Sequence, residues 1–286
     1  MRRHILLLLI AVMAITATSC QQRNEPNNEG KETTATSGIL NGTFSVSATK
    51  QVHFSQGNLQ YQAGTGIWRF AANQYDIIGN DNANISSSYA GWIDLFGWGT
   101  GSNPVLTSTD DNYYSTFTDW GANAISNGGN KANLWRTLTK DEWVYLFYTR
   151  ANAATLFGLG SVNGVNGTIV LPDNWVLPAG VSFTASTTRG LADTQGVYYY
   201  NSKGDNFSHN TYTAEQWSVL ESADAVFLPS AGARWGTEVV NVGEISIYWS
   251  ATPDKALFFD AHALNPQLDD IYRCYGLSVR LVQDVK

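Results

Sequence analysis

Alternating apolar and polar positions predict short β-strands along much of the chain. Apolar residues occupy alternate positions in 44–48 and again in 51–55, which is the pattern of a strand with one buried face. The stretch from Gly79 to Gly129 is rich in Gly, Asn, Ser and Asp around an aromatic island at 92–99, so we expect irregular structure pinned by buried indoles. Short apolar runs, some of them ending at proline, predict further strand segments at 168–172, 176–178, 226–229, 245–250, 256–259 and 277–282.

Two segments carry the signals of a capped, amphipathic helix. Thr139 followed by Glu142 forms a capping box, in which each side chain satisfies a free backbone N–H of the first turn. Trp143, Leu146 and Phe147 then fall on one helical face. Few helices and many short strands, without a strand-helix-strand rhythm, predict an α+β fold. The second helix repeats these signals at Thr213, Gln216, Trp217 and Leu220.

The first twenty residues predict export and lipidation. Arg2 and Arg3 precede an apolar run from Ile5 to Ile15, whose 11 residues are too few for the roughly 20 of a membrane-spanning helix. Small residues then lead to Cys20, where a lipoprotein signal peptidase would cut. The alternative is an ordinary secretory signal cut near Ala17. We therefore expect a signal peptide at 1–19, a lipidated Cys20, a polar and flexible tether at 20–38 and a single domain at 39–286.

Charge and cysteine content restrict the partners of this domain. Loss of Arg2 and Arg3 with the signal peptide would change the formal net charge from −7 to −9, which disfavours nucleic acid and anionic lipid headgroups. We expect contact with the membrane through the lipid anchor only. Acylation of Cys20 leaves Cys274 as the one free cysteine, so a conventional core must hold the domain together. The 10 Trp, 14 Tyr and 12 Phe supply that core, and such side chains also suit sugar or protein recognition.

Three motifs occur in an order that is typical of a known family. Leu134–Trp143 (LWRTLTKDEW) resembles the start of the helix in the formylglycine-generating-enzyme-like branch of the C-type lectin fold. Tyr248–Thr252 (YWSAT) resembles the Trp-Ser strand of that domain, and Gly276–Arg280 (GLSVR) resembles its closing strand. The resemblance implies a C-type-lectin-like fold with many short antiparallel strands, two capped helices and long irregular loops. It also implies that Trp143 and Trp249 are buried.

The same resemblance leaves little support for catalysis. Formylglycine-generating enzymes use a cysteine pair near the C-terminus, where this chain has Cys274 alone. The iron-dependent relatives need clustered histidines, whereas His53, His209 and His262 are widely spaced. We therefore predict no catalytic residue, no metal site and no cofactor.

Calcium-dependent sugar binding is not predicted either, although the fold is best known for it. The calcium-loop letters at 25–27 lie in the tether, where no second ligand from a folded strand can reach them. The acidic pairs at 110–111 and 269–270 carry suitable oxygens, and we interpret them as solvated surface.

The segment 256–275 is the candidate for recognition. It resembles the variable region of diversity-generating-retroelement target proteins, which display randomised side chains near the C-terminus of a C-type lectin fold. Mutation of adenines in asparagine codons excludes Lys, Glu, Gln, Met and Trp from varied positions, and only Gln267 in this window is of an excluded type. Alternatively, the segment is a final hairpin whose Ile271 and Tyr272 fold back onto the core. The predicted ligand-binding side chains are Asp260, His262, Ala263, Leu268, Asp269, Asp270, Ile271, Tyr272 and Cys274, projecting outward above Val279 and Leu281.

These observations favour a lipid-anchored protein of the cell envelope, in the outer membrane, that binds a protein or glycan ligand near its C-terminus. If the segment 256–275 is diversified by a retroelement, the hypothesis is that the protein is a receptor or adhesin. A structural or tip subunit of a surface appendage is the alternative, and it would need an exposed strand edge for pairing. An enzyme of the formylglycine-generating type is a third interpretation, and it would need a deep pocket with convergent polar groups.

Overall fold

Short strands in small, mostly antiparallel sheets, with two capped helices packed among them, make up the computed structural model of this protein. The structure describes residues 37–186 and 207–286, all of which belong to the unit Ala35–Lys286. The α+β class predicted above is confirmed. The predicted signal peptide, Cys20 and most of the predicted tether lie outside the described residues.

Most of the strands are only two to six residues long. The helices are α1 (Lys140–Val144) and α2 (Ala214–Ser222), with a π-helical turn at Tyr145–Thr149 and 3-10 turns at Gly79–Asn84, Asp111–Tyr114, Trp120–Ala122 and Ala153–Thr155. The strands are β1 (Phe44–Ser45), β2 (Gln51–Phe54), β3 (Leu59–Gln62), β4 (Ile67–Phe70), β5 (Trp92–Ile93), β6 (Arg136–Thr137), β7 (Phe157–Val162), β8 (Val165–Val170), β9 (Thr211–Tyr212), β10 (Val226–Pro229), β11 (Ala233–Trp235), β12 (Glu238–Val240), β13 (Ser246–Trp249), β14 (Ala256–Phe259), β15 (Leu264–Leu268) and β16 (Leu281–Asp284).

Pairing between distant strands closes the fold. The sheet order β1-β2-β16-β6 places the last strand between two early ones, with Val282 opposite Phe54. The other sheets run β10-β8-β7-β9, β4-β3-β5, β13-β14-β15 and β11-β12. Among these strands only β7 and β9 pair in parallel. The final strand therefore fixes the first half of the chain to the second.

Helix α1 anchors the larger hydrophobic core. Thr139 and Glu142 form the predicted capping box, and Trp143 and Phe147 are fully buried. The helix widens into a π-helical turn that ends where the Arg150 N–H donates to the Tyr145 carbonyl at 2.9 Å. The predicted burial of Trp143 is confirmed. Its core neighbours include Phe44, Phe54, Leu146, Phe157, Tyr248, Leu257, Phe259, Leu264 and Val282.

Helix α2 covers a second core cluster. Thr213 caps it as predicted, with Gln216 completing the capping box. Trp217 and Leu220 are buried against β8 and β10, where Trp217 and Phe227 hold their ring centroids 5.5 Å apart. Both predicted helices are therefore present, and both use their tryptophan as the main core contact.

The irregular stretch 79–129 is held in place by buried indoles, as predicted. Trp98 donates its Nε1 hydrogen to the Ser250 carbonyl at 3.1 Å, just after β13. In return Trp249, at the end of β13, donates to the Phe96 carbonyl at 2.7 Å. The predicted burial of Trp249 is confirmed. The two tryptophans thus connect the irregular stretch to the C-terminal strands from both sides.

Two strand predictions were wrong. Residues 176–178 form no strand, and Val176 is 78% exposed, because Pro172 and Pro178 cannot donate to a ladder and restrict the backbone around them. In 277–282 the regular strand starts only at Leu281, since the preceding residues bridge to separate partners. Val279 and Leu281 are nevertheless buried, as expected of anchors beneath the C-terminal segment.

Candidate functional site

The predicted binding segment is a hairpin with two separate ends. Strands β14 and β15 pair antiparallel with a bulge between Ala256 and Phe258, and a tight turn at 260–263 joins them. The five residues of β15 span about 15 Å at the usual rise per residue. The nine predicted side chains therefore form two groups: Asp260, His262 and Ala263 at the turn, and Leu268, Asp269, Asp270, Ile271, Tyr272 and Cys274 beyond the opposite end.

The turn end is organised by Asp260. Its Oδ1 accepts hydrogen bonds from the backbone N–H groups of His262 and Ala263, both at 2.7 Å. His262 is exposed, and with Ala263 it borders a shallow depression that also includes Phe157 and Ser186. Because Ser186 is the last described residue before residue 207, this depression supports no site.

At the opposite end, carboxylates lie beside basic side chains. Lys255 forms an ion pair with the exposed Asp269. Arg273 binds both carboxylate oxygens of Asp254, at 2.7 and 2.9 Å, and its guanidinium lies 4.9 Å from the Trp98 ring centroid. Asp270 is exposed and has a φ of 55°, a left-handed conformation that Asp and Asn tolerate better than other side chains.

Two of the nine predicted side chains do not project outward. Ile271 is only 3% exposed and Cys274 only 1%, because the chain turns back toward the core after Asp270. The Cys274 backbone N–H donates to Asp111 Oδ1 at 2.9 Å, and burial raises the pKa of its thiol. The prediction that Ile271 and Cys274 belong to a display surface is therefore wrong. Tyr272, which lies between them, stays half-buried.

Tyr272 belongs to a cluster of three aromatic rings, which we call the aromatic patch: Trp235, Tyr272 and Tyr275. The Trp235 ring centroid lies 6.0 Å from that of Tyr272, in an edge-on arrangement, and 4.8 Å from that of Tyr275. Trp235 and Tyr272 remain half-exposed, while Tyr275 lies deeper. Rigid rings that present both an apolar face and a polar edge are typical of recognition surfaces.

Sequence analysis did not identify Trp235 as a site residue. Trp235 is the last residue of β11, immediately before the turn to β12, and this position alone gives no functional signal. Its proximity to Tyr272 follows from the antiparallel bridge between Arg234 and Gly276, two segments far apart in the chain. Only tertiary structure could reveal this contact.

The buried Arg234 guanidinium braces the loops that carry the aromatic patch. Its Nη1 donates to the Gly236 carbonyl in the β11–β12 turn. Its Nη2 donates to the carbonyls of Leu106, in the loop before the 3-10 turn, and of Leu95, at 3.4 and 3.2 Å. One side chain thereby fixes three segments relative to one another. Side chains that are locked in this way reduce the conformational entropy lost on binding.

Arg234 carries its charge without a carboxylate partner among the described residues. Burial lowers its pKa to about 10, which still leaves the group protonated at neutral pH. Its Nε has no hydrogen-bond partner in the described part of the chain. Burying a charge that only carbonyl dipoles stabilise costs free energy of folding. The fold therefore loses stability by placing Arg234 beneath the patch.

Four acidic residues lie close to members of the aromatic patch across a strand pair, through a backbone contact or along the chain. Glu238 lies directly across from Trp235 in the β11–β12 pair, and it is exposed. Asp111 contacts the Cys274 backbone, Asp110 precedes it, and Asp270 lies two residues before Tyr272. We call Asp110, Asp111, Glu238 and Asp270 the acidic rim. In the described ranges none of the four forms an ion pair.

The arrangement is suited to contact more than to acid-base or nucleophilic chemistry. The raised pKa of Cys274 and its burial keep the thiol protonated and out of reach. Within residues 37–186 and 207–286, no group of three or more His, Cys, Asp or Glu side chains is placed to hold a metal ion. The same ranges contain no helix with the length and apolar character needed to cross a membrane.

Comparison with protein-family models, with curated proteins and with solved structures found no match to this chain.

Proposed function

We propose that the chain is a lipid-anchored protein of the cell envelope whose C-type-lectin-like domain binds a protein or glycan ligand. In this proposal the binding surface is the aromatic patch with its acidic rim, and not the whole segment 256–275. Cys20 provides the anchor in an outer membrane, and the polar residues after it connect the anchor to the domain.

The observation that carries this proposal is the half-exposed pair Trp235 and Tyr272 on braced loops. When a partner covers large aromatic side chains that are partly exposed, their apolar surface leaves water, which contributes favourably to the free energy of binding. The Arg234 contacts fix the loops beforehand, which lowers the entropic cost of binding. A patch of this kind is the usual centre of an interface.

Support for the C-type-lectin-like fold comes from the positions of the three motifs. The Leu134–Trp143 motif supplies the capping box and the buried Trp143 of α1. The Tyr248–Thr252 motif supplies the end of β13, and the Gly276–Arg280 motif leads into β16. All three motifs contribute buried side chains, Trp143, Tyr248 and Leu277 among them, as expected if they define the domain.

Binding is preferred to the two other interpretations on specific grounds. A formylglycine-generating type of enzyme would use a reactive thiol, whereas Cys274 is buried with a raised pKa. An appendage subunit would need a strand edge that accepts a partner strand. At the edge strand β15, Pro266 lacks the N–H that such pairing requires.

Diversification by a retroelement would be restricted by this packing. Exposed or half-exposed positions such as Asp269, Asp270 and Tyr272 can vary, whereas Ile271 and Cys274 fill the core and should stay constant. The DNA around the gene tests this part of the proposal. It requires a near-identical repeat of the 256–275 codons and a reverse transcriptase gene nearby, and their absence would contradict it.

The anchor is tested by labelling cells with radioactive palmitate and separating membranes from soluble protein. We expect the unmodified chain to carry label and to sediment with membranes, and Cys20→Ala to lose both properties. Cys274→Ala is the matched control, because it removes the other cysteine, and it should remain labelled. Equal labelling and membrane retention of Cys20→Ala would contradict lipidation.

The binding surface is tested with two probes, a random peptide display library and an array of glycans. Ligands selected on the unmodified chain should bind Tyr272→Ala and Trp235→Ala at least about tenfold more weakly, as expected of aromatic hot spots. His262→Ala is the control, since His262 is exposed at the other end of the hairpin. If the His262 variant loses binding and the aromatic variants keep it, the turn end is the site.

A further inference from the structure

We infer that the partner of the aromatic patch is a basic protein segment, whose Lys or Arg side chains lie over Trp235 and Tyr272 and pair with the acidic rim. This inference rests on the proposed function and adds the chemical class of the partner. It depends on the charge around the rings, which the proposed function includes in the surface without assigning it a partner.

The carboxylates around the patch form no ion pair in the described part of the chain, and the nearest unpaired cation is the buried Arg234 beneath the rings. The rim residues Asp110, Asp111, Glu238 and Asp270 have no basic partner within ion-pair distance in the described part of the chain. Arg273 belongs to the same segment, but Asp254 binds its guanidinium at 2.7 and 2.9 Å. A surface with unpaired carboxylates of one sign attracts a cationic partner and repels an anionic one.

The rings add a second attraction for cations. A guanidinium or ammonium group over the face of Trp or Tyr is held by the ring quadrupole, most strongly where water is excluded. The chain already uses this contact elsewhere, because the Arg69 guanidinium lies 3.6 Å from the Trp92 ring centroid. At the patch, a Lys or Arg from a partner would meet a ring and a carboxylate at the same time.

Two of the rim residues neighbour the rings through strand pairing or along the chain. Glu238 is the cross-strand neighbour of Trp235, and Asp270 lies two residues before Tyr272. Asp111 accepts a hydrogen bond from the Cys274 backbone N–H, which fixes the position of its carboxylate. Tyr113, in the same 3-10 turn as Asp111, is 69% exposed.

A neutral glycan fits these observations less well. Sugar rings stack on aromatic side chains, but a neutral sugar would gain no charge interaction from the four rim carboxylates. Acidic or sulfated glycans would be repelled. A basic protein segment satisfies both the rings and the charges.

Two double variants test the inference with equal changes in net charge. Glu238→Gln/Asp270→Asn neutralises two rim carboxylates, and Asn suits the left-handed backbone at position 270. Asp81→Asn/Glu215→Gln neutralises two exposed carboxylates that belong neither to the rim nor to the patch, and is the control. The probes are peptides selected from the random library on the unmodified chain, measured by fluorescence anisotropy at low and at physiological salt.

We expect the selected peptides to carry net positive charge, and their affinity to fall as salt is raised. The affinity of these peptides for Glu238→Gln/Asp270→Asn should fall about tenfold, because that variant loses two exposed charge interactions. Their affinity for the control variant should stay nearly unchanged. Uncharged peptides or neutral glycans that need Tyr272 but ignore the rim variant would overturn this inference and leave the proposed function standing. If no selected probe depends on Tyr272 or Trp235, both fail.

Discussion

The guanidinium of Arg234 lies directly against the backbone of Gly276. A Cβ atom at position 276 would approach Arg234 Nε to 2.8 Å and Cζ to 2.9 Å, closer than such atoms normally come. The two residues also exchange backbone hydrogen bonds, at 2.9 and 2.8 Å. Only glycine at 276 lets the chain pass over the buried arginine that braces the aromatic patch.

Gly276→Ala should therefore destabilise the protein by about 1 to 3 kcal/mol, the usual cost of overpacking a buried position. Urea unfolding measures the change. If contact with Arg234 is the cause, the combination with Arg234→Met should be less destabilised than the sum of the two single variants. Strict additivity would show that Gly276 is required for another reason.

Packing divides the segment around Tyr272 into core and surface. Ile271→Ala should lower the free energy of unfolding by about 2 to 5 kcal/mol, because it leaves a cavity under the segment. Asp270→Asn, one residue earlier, should change it by less than about 0.5 kcal/mol, since the side chain is exposed and Asn accepts the same backbone. Similar unfolding curves for the two variants would mean that the segment is not packed as described.

The thiol of Cys274 should be unreactive toward alkylating reagents in the folded protein. The Cys20→Ser variant leaves it as the only thiol of the chain. Iodoacetamide at mildly alkaline pH should modify this variant only as fast as the protein unfolds, because burial both hides the thiol and raises its pKa. Addition of urea should make labelling fast. Complete labelling within minutes in native buffer would contradict the burial of Cys274.

Asp94 should give stability an unusual dependence on pH. Burial raises its pKa from 3.8 to about 6, although it accepts hydrogen bonds from the Ile78 backbone and from Asn82, both at 2.8 Å. The folded state therefore binds this proton more tightly than the unfolded state. The resulting stability is fully present below pH 3.8 and is lost as pH rises through 6.

The variant Asp94→Asn should remove this dependence. Between about pH 4 and 7 the difference in unfolding free energy between the two proteins should shift by about 2 kcal/mol in favour of the variant. Glu142, Asp173 and Asp284 have lowered pKa values despite burial and act in the opposite direction, but they contribute equally to both proteins. A difference that stays constant over this range would show that Asp94 titrates normally.

Local signals made part of the fold predictable. Thr139 and Glu142 cap α1 in the way their spacing indicates, and Trp143 falls on the face that the helical period assigns to the core. These predictions succeeded because the interactions lie within one or two turns of the chain. The same reasoning identified α2 and several strands with clear alternation.

Strand β7 shows why other elements were missed. Its Gly158 and Gly160 have low strand propensity, yet side chains there would collide with the backbone of Thr184 and Asn210. Hydrogen bonding to β8 makes this segment a strand, and no local sequence pattern indicates that pairing. The candidate site depends even more on distant contacts. Tyr272 was predicted from its own segment, whereas Trp235 became visible only through its ring contact with Tyr272.

The proposed binding surface is assembled from chain segments that are remote in sequence. Asp111 and Cys274, whose contact joins two of them, are 163 positions apart. An antibody directed at this surface would therefore recognise a discontinuous epitope, which no short peptide of the chain can reproduce. Such an antibody would fail on a denaturing blot and so would report the folded state of the domain, and its binding to intact cells would test the proposed accessibility from outside the cell.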